Sequence, residues 1–130
     1  MEDANWRACL QACRRVLGKG AWDPSVSESW CAFTTFSSLR HGVHYWACGF
    51  PDETELLESE TLDGGLWRQA FRYEDLAHLI VPATFYWETR LGGSFRSGYK
   101  NQDLASLTGQ FEGLQLPYRA TELIVEIKLY

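Results

Sequence analysis

Residues 30–50 read Trp30-Cys31-Ala32-Phe33-Thr34-Thr35-Phe36, then Ser37-Ser38-Leu39-Arg40-His41-Gly42, then Val43-His44-Tyr45-Trp46-Ala47-Cys48-Gly49-Phe50. The outer two runs are dense in aromatic and β-branched side chains, which suit a pleated, half-buried surface. The polar run between them ends in glycine, so it reads as a turn and the pair as an antiparallel hairpin. With it, the order of elements is helix, several strands, a short helix, strand, helix, strand, which is not the regular alternation of a doubly wound parallel sheet.

Outward from it, residues 3–17 place Trp6, Cys9, Leu10, Cys13, Val16 and Leu17 at helical spacing, with Asp3 near the N-cap and Gly18 past the end. Residues 19–27 read as a loop. Residues 55–60 read as an edge strand paired with residues 66–71 across Asp63-Gly64-Gly65, with a short helix as the competing option. Residues 73–79 read as a short helix stopped by Pro82, and residues 83–90 as a strand. The glycine-rich residues 91–100 read as a mobile connection. Asn101 is expected to cap a second helix with Leu104, Leu107, Phe111 and Leu114 on one face. Residues 123–130 alternate as a strand with one apolar face. The expected fold is a single α+β domain spanning residues 1–130. It is mainly an antiparallel sheet, with an N-terminal helix and a second helix from the C-terminal half packed on it.

Composition narrows the function classes. The 130 residues carry 45% hydrophobic and 15% aromatic side chains, enough for a core without disulfides. No apolar run is long enough for a membrane span, and the acidic N-terminus lacks a signal-peptide layout, so a cytoplasmic protein is expected unless an export signal was trimmed. A net charge of −5 speaks against direct nucleic-acid binding. Cys9, Cys13, Cys31 and Cys48 contain no Cys-x-x-Cys pair, so reduced core thiols are expected and no metal or other cofactor. His41, His44 and His78 lie outside any catalytic motif, although His41 or His44 could meet Cys31 or Cys48 across the hairpin. The glycine-rich stretch from Gly92 to Gly98 lacks the Gly-Lys-Ser/Thr ending of a phosphate loop. No catalytic residue is assigned, and the chain is expected not to be an enzyme.

The most distinctive feature is acidic. Asp52, Glu53, Glu55, Glu58, Glu60 and Asp63 place six carboxylates in twelve residues with no base among them. The block reads as a solvated face or as a docking patch for a basic partner, where it would raise the association rate. Trp22 in a loop, with Trp46 and Trp67 flanking the block, are the candidate aromatic anchors.

Size, acidity, the 52–63 block and the ending of helix, Pro117 and strand over residues 104–130 resemble the small bacterial immunity proteins that neutralise secreted toxins. The resemblance implies a non-catalytic inhibitor that covers the active site or substrate path of a cognate toxin with a basic surface. It implies a tight one-to-one complex in place of turnover. The alternative is a small enzyme or ligand-binding domain whose pocket contains Trp46, Trp87 or His44. A third reading is a subunit that pairs through a sheet edge.

Overall fold

The apolar stripe of residues 3–17 closes into α1 (Asp3–Leu17), which buries Trp6, Cys9, Leu10, Ala12, Cys13 and Leu17. Asp3 sits in its first turn and Arg14 and Arg15 in its last, each at the helix end whose partial charge it complements. Gly18, at a φ of 104°, takes a positive-φ conformation open chiefly to glycine, ends the helix and donates its N–H to the Arg14 carbonyl.

In this computed structural model, which describes residues 1–62 and 69–130, the remaining elements follow in chain order. The first half contains β1 (Cys31–Thr35), α2 (Phe36–His41), β2 (Trp46–Cys48), β3 (Glu60–Thr61) and β4 (Phe71–Arg72). The second contains β5 (Leu76–Pro82), β6 (Thr84–Thr89), β7 (Arg96–Asn101), α3 (Leu104–Gly113), β8 (Tyr118–Ala120) and β9 (Ile124–Lys128). Five strands form an antiparallel sheet in the order β2-β1-β5-β9-β8, and β3–β4 and β6–β7 form separate two-stranded ribbons. The fold is α+β.

The hairpin of residues 30–50 is present, with Cys31, Ala32 and Phe33 opposite Cys48, Ala47 and Trp46. Its connection is a helical turn: Thr35 Oγ1 accepts from Ser38 N–H at 3.0 Å to start α2, and Gly42 at a φ of 128° ends it. One face of the sheet carries Cys31, Phe33, Leu79, Val81, Val125 and Ile127, which pack in a continuous core with α1 and with Leu107 and Phe111 of α3. Each such side chain contributes about 1.5–3 kcal/mol by leaving water. The opposite face carries Thr34, His78, Ile80, Glu126 and Lys128.

Four local expectations are corrected. Residues 73–79 are a single 3-10 turn (Tyr73–Asp75) followed by the central strand, and Pro82 is tolerated as that strand's last residue. Residues 91–100 contain a 3-10 turn (Leu91–Gly93) and most of β7, which pairs along all of β6. Asp103 caps α3, accepting from Ser106 N–H at 3.0 Å and Ser106 Oγ at 2.6 Å, in place of Asn101. The acidic stretch forms a 3-10 turn (Glu53–Glu55) and only a two-residue strand. Its expected partner, residues 66–71, and the turn at Asp63-Gly64-Gly65 lie mostly outside the described residues. Gly20 and Gly49 explain the loop before β1: a Cβ on either would strike the other's backbone neighbourhood, so two segments of main chain meet there. Among the described residues, no helix is long and apolar enough to cross a membrane.

Candidate partner-binding surface

The acidic segment lies along α1 and is partly neutralised by it. Arg15 grips Glu53 with two bonds of 2.6 and 3.2 Å, and Arg14 approaches Asp52 at 3.8 Å. Arg7 Nε donates to the Leu56 carbonyl at 3.0 Å, while Leu56 itself is buried in the core. Glu55 reaches back to accept from the Asp52 N–H at 3.2 Å, which closes its own turn. Tyr73 Oη, pushed up to about 12 by burial, donates to the Leu57 carbonyl at 2.8 Å. Glu58 is exposed in a groove with Asp3, Arg7 and Gln11, and Glu60 faces Arg72 across β3–β4. Of the six carboxylates, Asp52, Glu53 and Glu55 thus have partners within the chain, and Asp63 lies outside the described residues.

The three tryptophans separate. Trp22 is exposed, whereas Trp46 is half-buried, stacked on Phe33 at 5.5 Å and edge-on to Phe71 at 5.0 Å. Trp67 lies outside the described residues. His44 sits edge-on to Trp46 at 4.6 Å, and with His41, Ser37, Phe71 and Asp75 they line an open depression of about 520 Å³. His41 and His44 are exposed while Cys31 and Cys48 are buried in the core, so the hairpin does not bring the pairs together.

The most prominent aromatic surface is one that pattern reading passed over. The β6–β7 ribbon leaves the sheet at Pro82 and is fastened at its base. Gln102, itself buried, accepts from Trp30 N–H and donates to the Trp30 and Pro82 carbonyls, each at 2.9 Å. Lys100 Nζ donates to the carbonyls of Pro24, Ser25 and Ser27 at 3.2, 2.9 and 2.9 Å. Trp30 stacks on Phe85 at 5.7 Å, and the Trp87 ring lies over Gly98, where a Cβ would meet it at 3.0 Å. Above this base, Tyr86 and Tyr99 oppose each other, their rings 5.4 Å apart and 47% and 73% exposed. Leu91 and Phe95 stand exposed at the tip, with Arg90 over the Phe95 ring. A rigid base bearing exposed aromatics is the arrangement that loses least entropy on docking.

A polar chain crosses the sheet face opposite the core. Tyr130 Oη and Tyr45 Oη are 2.9 Å apart, and Tyr45 Oη meets His78 Nδ1 at 2.9 Å. His78 Nε2 meets Glu126 at 2.7 Å, and Arg119 forms an ion pair with the other Glu126 oxygen at 3.0 Å. The hydrogen bond from His78 holds the Glu126 carboxyl below its ordinary range, aided by the charges of His78 and Arg119. Burial, and then Tyr130, push the Tyr45 phenol up to about 12. Both ring nitrogens and both carboxylate oxygens are engaged, so the chain is built to hold β5, β9 and the 42–46 loop together. Its parts lie far apart in sequence, at 45, 78, 119, 126 and 130, and only the sheet register unites them. Among the described residues, no group of three or more His, Cys, Asp or Glu side chains is placed to hold a metal ion.

Comparison with known protein families, with curated proteins and with solved structures finds no match for this chain.

Proposed function

We propose that the chain is a non-catalytic protein-binding inhibitor that neutralises a cognate bacterial toxin by covering its active site or substrate path. The observation that carries protein binding is the anchored β6–β7 ribbon with Tyr86, Tyr99, Leu91 and Phe95 exposed on it. Aromatic side chains on a fixed support supply large contact area at low ordering cost. The net charge of −5 and exposed Glu58 favour a basic partner, which they would steer at low salt. The acidic strip is an accessory to the ribbon in this reading, because α1 already holds Asp52 and Glu53.

The test is coexpression with the protein encoded beside this chain's gene. Wild type should restore growth to cells making that protein and should co-elute with it as a one-to-one complex. Tyr86→Ala with Tyr99→Ala should weaken binding at least about a hundredfold, as expected for two interface anchors. Glu58→Lys with Glu60→Lys should chiefly slow association and remove its salt dependence. Absence of both growth rescue and complex would overturn the reading.

The depression lined by His41, His44 and Trp46 favours a second reading, a small-ligand site. Trp46 fluorescence that responds saturably to a small molecule, and stops responding in His44→Ala, would support it.

A further inference from the structure

All four cysteines converge in the core beneath the first hairpin. Cys9 and Cys13 approach from α1, Cys31 from β1 and Cys48 from β2, and all are free and buried. Burial first, and then the neighbouring cysteine, hold the Cys13 thiol beside Cys9 and the Cys31 thiol beside Cys48 well above their usual range. The two pairs are not equivalent. Cys31 and Cys48 are directly opposed in an antiparallel ladder, so their side chains project to the same side of the sheet. Opposed residues have Cα atoms about 4.5 or 5.5 Å apart, and either spacing falls inside the roughly 4.4–6.8 Å that a disulfide spans. Cys31 Sγ already lies 3.3 Å from the Cys48 carbonyl oxygen. Cys9 and Cys13 are four apart on a helix, where Cβ atoms stand about 5–6 Å apart, beyond the roughly 3.5–4.5 Å that a disulfide needs.

We propose that Cys31 and Cys48 are a disulfide-forming site, closed in an oxidising compartment with the fold unchanged, while Cys9 and Cys13 stay thiols. The step is thiol–disulfide exchange with a small-molecule disulfide such as oxidised glutathione. One cysteine thiolate attacks it and expels a glutathione thiolate. The second then attacks the mixed disulfide and expels the other. One S–S bond forms, two S–H bonds are lost, and the two electrons reduce one glutathione disulfide to two thiols. Burial and the neighbouring Cys48 hold the Cys31 thiol well above its usual range, so the folded protein reacts slowly. The bond is acquired during folding or when the three-residue edge strand β2 opens, which separates it from a fast redox sensor.

The test refolds the full chain from reduced, denatured protein in a mixture of oxidised and reduced glutathione, then alkylates remaining thiols and maps the peptides. The expected product is lighter by two hydrogens, alkylated at Cys9 and Cys13 and bridged between Cys31 and Cys48. Its folded-to-unfolded ratio in denaturant should exceed that of the reduced protein by roughly a hundredfold, from closing a loop of this length. A Cys9→Ala, Cys13→Ala variant should form the same bridge. Four alkylatable thiols after refolding, a bridge on any other pair, or a Cys31–Cys48 bridge that lowers stability would each overturn the proposal.

Discussion

Glu126 illustrates how one side chain holds several elements. It is buried on β9, is hydrogen-bonded to His78 of β5 through one oxygen, and is ion-paired with Arg119 of β8 through the other. Because its folded pKa lies below the unfolded value, its stabilisation is fully present above the ordinary carboxylate range. It is lost as pH falls through the folded pKa. Acid unfolding of wild type should therefore be steeper below about pH 4.5 than that of Glu126→Gln, read by circular dichroism across pH at fixed denaturant. At neutral pH the same substitution should cost about 1–3 kcal/mol, since it weakens charge-assisted bonds in a buried position. Nothing in the sequence marks Glu126 among seventeen acidic residues. Its partners are defined by strand register, which a linear pattern does not contain.

Elements were legible wherever one face is wet and the other dry. The stripe of α1 is of this kind; β9 keeps the alternation in sequence, with Val125 and Ile127 on the core side, although Glu126 on its other side is also buried. The central strand β5 is covered on both faces over Leu76–Leu79, so the period-two signal vanishes, and Glu74 and Asp75 mimic a helix start. The opposite failure hides β7, whose Arg-Ser-Gly-Tyr-Lys-Asn sequence faces solvent widely and offers no apolar alternation. That ribbon depends on its base for rigidity. Gln102→Ala deletes three bonds to backbone and should destabilise the fold by about 2–3 kcal/mol in denaturant titration. Tyr86→Ala and Tyr99→Ala, which remove exposed rings, should each stay within about 0.5 kcal/mol of wild type in the same titration. Base and outer face thus separate stability from binding.

At the scale of the whole molecule, the net charge of −5 and the acidic middle of the chain were readable directly, but the pairing of those charges in space was not. The acidic block looked like a free surface because its counter-charges, Arg14 and Arg15, lie about forty residues earlier and meet it only after folding. The candidate tryptophans fared similarly. Trp46 is drawn to the core margin by Phe33 and Phe71, while tyrosines in a stretch of unremarkable composition carry the exposed aromatic area.

The sheet order β2-β1-β5-β9-β8 has a consequence for biosynthesis. β9 follows the other four strands of this sheet in the chain, yet it occupies an interior place between β5 and β8. A nascent chain stalled before residue 124 leaves one edge of the central strand bare and the core open beside Leu79 and Val81. Chains truncated before residue 124 should be cut readily by protease, and the chain of residues 1–130 should resist it. The sheet is therefore complete only once β9 is in place, and a chain lacking it exposes the apolar surface that chaperones bind.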